Sequence, residues 1–277
     1  MKAALLDNRG IIEISGPDAA DWLQGLITND IGKADANETC FAALLSPQGK
    51  ILFDFMIHRQ SAADGPVYFI DCAADQCPAL AKRLALYRMR AKVQIADRLQ
   101  QLAVLAIWDT DNPGDENARR DSRHPALGWR LVCEKEALPE AFAQLETSSA
   151  YHSLRVTCGV PEGGRDFSWG EIFPHDANMD ELGGIDFQKG CYIGQEVVSR
   201  VQHRGSARKR FRKVGFAAGT PREGSPIVAG ETELGAIASI AGQAALALIR
   251  TDRATASTAA GERPSADGIA LEIKLER

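Results

Sequence analysis

The sequence predicts an α+β protein in which two α+β modules are followed by a small antiparallel β-barrel. Three observations carry that expectation. Up to about residue 205, β-branched runs alternate with stretches whose apolar residues recur at helical spacing. From 161 to 190 the chain is rich in Gly, Asp and aromatic residues with little periodicity, as a functional loop wrapped over a neighbouring module would be. Beyond Gly205 come short strand-like runs separated by Gly-rich or polar turns.

Taken in order, 11–14 is a β-branched strand, and Ser15-Gly16-Pro17-Asp18 ends it with Asp18 as a helix N-cap. Trp22, Leu23, Leu26 and Ile27 then share one helical stripe. A hairpin follows, with 41–45 and 51–58 as its arms around the turn Ser46-Pro47-Gln48-Gly49. A strand at 67–70 leads into a helix with Leu80, Leu84 and Tyr87 on its apolar line. Strands are expected at 92–95 and 102–108, a surface loop or inter-module link at 109–125, a strand at 128–133 and a helix at 138–145. The barrel strands are 214–217, 226–228, 236–240, 244–249 and 269–275, with 254–260 as a small-residue loop. The domain division is 1–205 and 206–277.

Composition narrows the class. With 45% hydrophobic and 25% charged residues among 277, disorder and collagen-like fibres are excluded. No run approaches the length of a membrane-spanning helix, so no membrane partner is expected. The apolar run of the first seven residues is too short for a signal peptide, which predicts a cytoplasmic protein. A net charge of −5 argues against a body that coats nucleic acid. The six cysteines (Cys40, Cys72, Cys77, Cys133, Cys158 and Cys191) lack Cys-x-x-Cys spacing, so reduced thiols and no metal site are expected.

Three features could carry chemistry. Cys191, between Gly190 and Gly194 at a loop-to-helix junction, is a candidate reactive thiolate, because a helix N-terminus and Lys189 would both favour its charged form. The same pattern also describes a small buried residue before a helix. Asp54 lies on a strand where Ile51, Phe53, Phe55 and Ile57 line one face and Leu52, Asp54 and Met56 the other. A carboxylate there needs a partner if it is buried. Finally, Arg200, His203, Arg204, Arg208, Lys209, Arg210, Arg212 and Lys213 form a basic run suited to the anionic tail of a ligand, an acidic partner or RNA, or simply to a solvated linker.

The octet Lys189-Gly190-Cys191-Tyr192-x-Gly194-Gln195-Glu196 resembles the signature of the YgfZ-type folate-binding proteins, relatives of the glycine-cleavage aminomethyltransferase. The likeness spans about residues 5–215. It includes Ser15-Gly16-Pro17-Asp18-Ala19, the stretch Leu23-Gln24-Gly25-Leu26-Ile27-Thr28-Asn29-Asp30, the hairpin through Ser46-Pro47-Gln48-Gly49-Lys50 to Asp54, and Phe173-Pro174-x-x-Ala177-Asn178. The resemblance implies an aminomethyltransferase-like ring of modules closed by a C-terminal β-barrel, with tetrahydrofolate or a derivative in a central channel. It also implies a role in iron–sulfur cluster assembly or repair, with client or assembly proteins as partners. By the same resemblance Asp54 addresses the pterin, and Thr28 and Asn29 lie near its pocket. Tyr192, Gln195 and Glu196 then complete the folate-binding set, with Lys189 and Cys191 as the chemical pair.

One departure stands out. Aminomethyltransferases have Leu-Arg-Leu-Glu-Ala-Gly where this chain has Leu154-Arg155-Val156-Thr157-Cys158-Gly159, so Thr157 takes the place of a pterin-recognising glutamate. A hydroxyl bonds more weakly than a charged bidentate contact. Enzymatic turnover is therefore left open. The alternatives are a tetrahydrofolate-dependent aminomethyltransferase and an RNA- or tRNA-associated module acting through the basic run.

Overall fold

The structure, a computed structural model, describes residues 1–34, 37–62, 65–138, 142, 144–205 and 207–275; the side chain of Arg204 lies outside that description. The chain opens with β1 (Lys2–Leu5) and β2 (Arg9–Ser15), then the short helix α1 (Ala19–Gln24). The hairpin β3 (Cys40–Leu45) and β4 (Ile51–Ala62), the strand β5 (Gly65–Ala73), the helix α2 (Cys77–Arg88) and β6 (Gln94–Asp97) complete the first sheet, in the order β3-β4-β5-β2-β6. Leu23 and Ile27, together with Leu80 and Leu84 of α2, pack on one face of it against Ile12, Ile14, Phe53, Phe55 and Ile57. Ile11, Phe41 and Met56 face the other way, into the core shared with the rest of the protein.

Along β4 the expected alternation breaks at its first residue. The register slips between Leu44 and Leu45, which pair with Phe53 and Ile51 respectively, so Leu52 is an extra residue. The bulge sends Ile51 into the shared core with Met56, while Leu52 and Phe53 both pack on the helix-covered side. Asp18 does occupy the N-cap of α1, but its carboxylate accepts the Lys92 N–H instead of capping the helix.

The second sheet is β1 with β7 (Leu102–Trp108), β8 (Arg119–Arg120) and β9 (Trp129–Glu134), in the order β1-β7-β9-β8. Because β1 belongs here and β2 to the first sheet, the turn Leu6-Asp7-Asn8 ties the two modules. The expected surface link at 109–125 is corrected in its second half. Arg119, Asp121 and Arg123 are buried there, since pairing of β8 with β9 carries them inward among countercharges. Half of the helix expected at 138–145, residues 139–141 and 143, lies outside the described residues.

The expected long loop runs between α3 (Ser148–Thr157), a helix that the sequence reading did not foresee, and α4 (Gln195–Arg204). Its Phe167, Ile172, Met179, Leu182 and Ile185 are core residues, so the loop wraps the modules together. The last unit comprises β10 (Lys209–Gly215), β11 (Pro226–Ala229), β12 (Thr232–Ala241), β13 (Ala244–Arg250), the helix α5 (Thr251–Ala259), β14 (Ser265–Ala266), β15 (Ile269–Ala270) and β16 (Glu272–Lys274). Its sheet order, β15-β14-β11-β12-β13-β10-β16, ends on strands that Leu271 joins directly, so the sheet nearly closes into a barrel. The loop expected at 254–260 is mostly α5: its alanines are strong helix formers, and Ala254 is buried against the barrel.

Candidate functional site

Asp54 projects from β4 on the face away from α1 and α2 and is only 8% exposed. The partner that such a carboxylate needs is Trp169, whose indole N–H donates to Oδ1 at 3.0 Å; the Gly163 N–H lies 3.4 Å from Oδ2. Both donors come from the long loop. Gly163 has to be glycine: a Cβ there would stand 2.2 Å from Asp54 Oδ1 and 2.6 Å from Trp169 Nε1. Sequence reading found Asp54 but not Trp169 or Gly163.

Near Asp54 lies a buried ionic junction that the sequence reading missed entirely. Asp71 accepts from Arg9 Nε at 2.6 Å and from Arg130, and Asp121 accepts from Arg123 Nη2 at 2.7 Å and Arg130 Nε at 2.9 Å. Arg155 joins Asp166 at 2.6 Å and Glu162 at 3.1 Å. Burial pushes the carboxyls of Asp71 and Asp121 up, but the guanidiniums outweigh it and hold both well below the usual carboxylate range. His152 is drawn down to about 4 by burial and by Arg155 and Arg165, so at neutral pH its Nδ1 is an acceptor, 3.0 Å from Arg155 Nη2 and 2.6 Å from Arg165 Nη1. A cavity of about 360 Å³, with Leu5, Leu99, Ala103, Arg9 and Lys135 in its walls, opens beside the turn between β1 and β2, the waist where the two modules join. Leu6 and Asp7 line both it and a smaller hollow edged by Tyr151, His152, Arg155 and Arg165. One signal was available: Asp71 ends the apolar run Val67-Tyr68-Phe69-Ile70, the same oddity that marks Asp54.

The octet is built differently from its expected roles. Lys189 Nζ donates to the carbonyls of Gln24, Ile27 and Asn29 at 2.7, 2.7 and 2.8 Å, and burial brings its pKa down to about 8. It clamps the loop to the first module, with its charge committed to those carbonyls. Tyr192 is core, 8% exposed, its phenol raised to about 12 by burial. Gly194 seats the start of α4 on the hairpin turn, where a Cβ would lie 2.7 Å from the Ser46 carbonyl. Gln195 is half-buried, while Glu196 faces solvent and pairs with Arg200 at 2.7 Å. Among the six cysteines, only Cys191 is exposed.

Thr28 and Asn29 are likewise given to the fold. Thr28 Oγ1 donates to Gly184 O and accepts from Ala43 N, while Asn29 Nδ2 donates to the Phe41 and Gly183 carbonyls. Thr157 is exposed at the end of α3 and bonds Ser153 O. Of the basic run, Arg210 is paired with Asp180 and Arg212 with Glu181, at 2.8 and 3.0 Å, so the run is partly neutralised where it passes the long loop.

A reduced folate would ask for a carboxylate toward the pterin N–H edge, an aromatic plane and cations for its glutamate. Asp54 and Trp169 are groups of the first two kinds, whereas the buried arginines of the junction are already committed to Asp71, Asp121, Asp166 and Glu162. Asp54 and Trp169 therefore fit the pterin by type and are the ones that would hold it.

Comparison with known proteins bears first on the fold. The crystallised glycine cleavage system aminomethyltransferase T from Bartonella henselae superimposes with a TM-score of 0.76 over 98% of this chain and 84% of its own, at 16% identity. The family model "GCVT N-terminal domain" matches residues 3–109, and "CAF17, C-terminal beta-barrel domain" matches 208–276. The human "Iron-sulfur cluster assembly factor IBA57, mitochondrial" is 34% identical over 261 residues, spanning 86% of this chain and 72% of the human protein. The chain belongs to the IBA57 family. The homologue from Mycosarcoma maydis is 34% identical over 236 residues, 79% of this chain. The chain spans 59% of that fungal protein, and 52% and 55% of those of Neurospora crassa and Pyricularia oryzae. IBA57 relatives thus share most of this chain, whose fold is aminomethyltransferase-like with a nearly closed C-terminal barrel.

Proposed function

We propose that this IBA57-family chain supports iron–sulfur cluster assembly or repair, binding a reduced folate through Asp54 and Trp169 and working through Cys191. The observation that carries the reading is the exposure of Cys191 alone among six thiols, in a loop pinned on both sides by Lys189 and Gly194. One thiolate cannot hold a cluster by itself. An exposed one can serve as a transient ligand or sulfur acceptor facing a client or carrier protein, whose own ligands complete the set. Folate, held by Asp54 and Trp169, would supply either one-carbon chemistry or a structural prop at the waist.

The test is complementation. In cells lacking the native protein, Cys191→Ser should fold, bind folate and fail to restore iron–sulfur enzyme activities. Full restoration by the serine variant would overturn the role of the thiol. Aminomethyl transfer is a second reading, favoured by the buried Asp54 carboxylate; methylene turnover insensitive to Cys191→Ser would establish it instead.

A further inference from the structure

The second half of α2 and the turn after it carry five cations within eleven residues: Lys82, Arg83, Arg88, Arg90 and Lys92. All five are exposed, and no ion pair among the described residues engages them. Between them two large apolar side chains stand in water, Leu86 at 66% exposure and Met89 at 90%. Leu86 lies on the side of α2 away from the buried Leu80 and Leu84, and Met89 follows directly on the last helical residue, Arg88. Met89 has φ +42° and ψ −107°, a region that bulky residues rarely occupy. The tip is fixed in place, because Trp22 Nε1 donates to the Tyr87 carbonyl at 3.0 Å.

A helix C-terminus favours one nearby cation, which accounts for Arg88 but not for the other four. The patch is also out of character for a chain of net charge −5. RNA would neutralise the cations and leave Leu86 and Met89 wet. An acidic protein would have to offer a pocket for each protruding side chain. A bilayer with anionic headgroups answers both features at once, with charge for the cations and an interfacial layer that yields to a convex apolar tip. We propose that the α2 tip is a peripheral docking site for an anionic lipid surface. It is a surface contact and not a span: no helix among the described residues is long and apolar enough to cross a membrane.

The test is co-sedimentation of the whole chain with vesicles of phosphatidylcholine alone or with about 30% phosphatidylglycerol. Association is expected with the anionic vesicles at about 50 mM salt, falling at least about ten-fold at about 300 mM as screening shortens the field. Arg83→Ala with Arg90→Ala should weaken it by about thirty-fold, roughly five-fold per cation. Leu86→Ser with Met89→Ser should weaken it by about ten-fold. Both pairs lie in solvent, and an unchanged melting temperature checks that the fold survives. Absence of wild-type association at low salt, equal association with neutral vesicles, or full association by the serine pair would each overturn the proposal. So would binding of an RNA oligonucleotide or polyglutamate, lost in the same variants, with the vesicles left unbound.

Discussion

Lys189 donates its ammonium to the carbonyl of Ile27 at 2.7 Å, so the loop that presents Cys191 is anchored to the segment just after α1, 162 residues earlier. With the Gln24 and Asn29 carbonyls it makes a three-point clamp. Lys189→Met keeps the length and removes every donor. It is expected to destabilise the protein by about 2–4 kcal/mol, since buried acceptors would be left unpaired. It should also open the 186–194 loop to limited proteolysis. Unchanged urea unfolding in this variant would contradict the clamp.

The ionic junction sets the acid response. Asp121, held below the usual carboxylate range, contributes stability that is full above about pH 4 and lost as pH falls through its lowered folded-state pKa. His152, at about 4 in the folded state, contributes stability that is full above about pH 6.5 and lost as pH falls toward 4. Urea unfolding should therefore weaken from about pH 6.5 downward and more steeply below about 4. His58, buried beside Asp71, is lowered by burial in the same direction, so His152→Gln is expected to remove part of the upper decline and leave the rest. Asp121→Asn should cost about 3–5 kcal/mol at neutral pH by stranding buried arginine charge. An unchanged slope in the histidine variant would count against this assignment.

Thiol labelling follows exposure. Cys191 should react with iodoacetamide at neutral pH well ahead of the other five. Cys133 is partly exposed but raised to about 11 by burial, and Cys40, fully buried, is raised to about 12. Peptide mapping of the first labelled site checks this, and Cys191→Ser should abolish the fast phase.

Thr157→Glu restores the residue type of the aminomethyltransferases but places it on the exposed end of α3. Folate affinity should change by less than about two-fold, because a solvated charge adds little. A gain of about ten-fold would show that the α3 end reaches the ligand.

What the sequence could reveal depended on range. The barrel, the long loop and Asp54 announce themselves through local pattern or one odd carboxylate in an apolar strand. Asp71 carries the same mark, yet its partners Arg9 and Arg130 are 62 and 59 residues away, and only the folded sheets bring them together. The Lys189 motif is visible, but its acceptors are main-chain carbonyls, which no side-chain pattern betrays. The bulge at Leu52 and the helix α5 failed for the opposite reason. Local register and alanine propensity outweighed the strict alternation and low complexity on which those readings relied.

Folate binding through the Asp54–Trp169 pair is the central claim to test. Calorimetric titration of folinic acid into the wild type and Asp54→Ala tests it most directly. The expected result is a micromolar Kd, about −8 kcal/mol, weakened by about ten-fold or more in the variant through loss of one charged hydrogen bond. No measurable heat with the wild type, or the same affinity in both proteins, would contradict it.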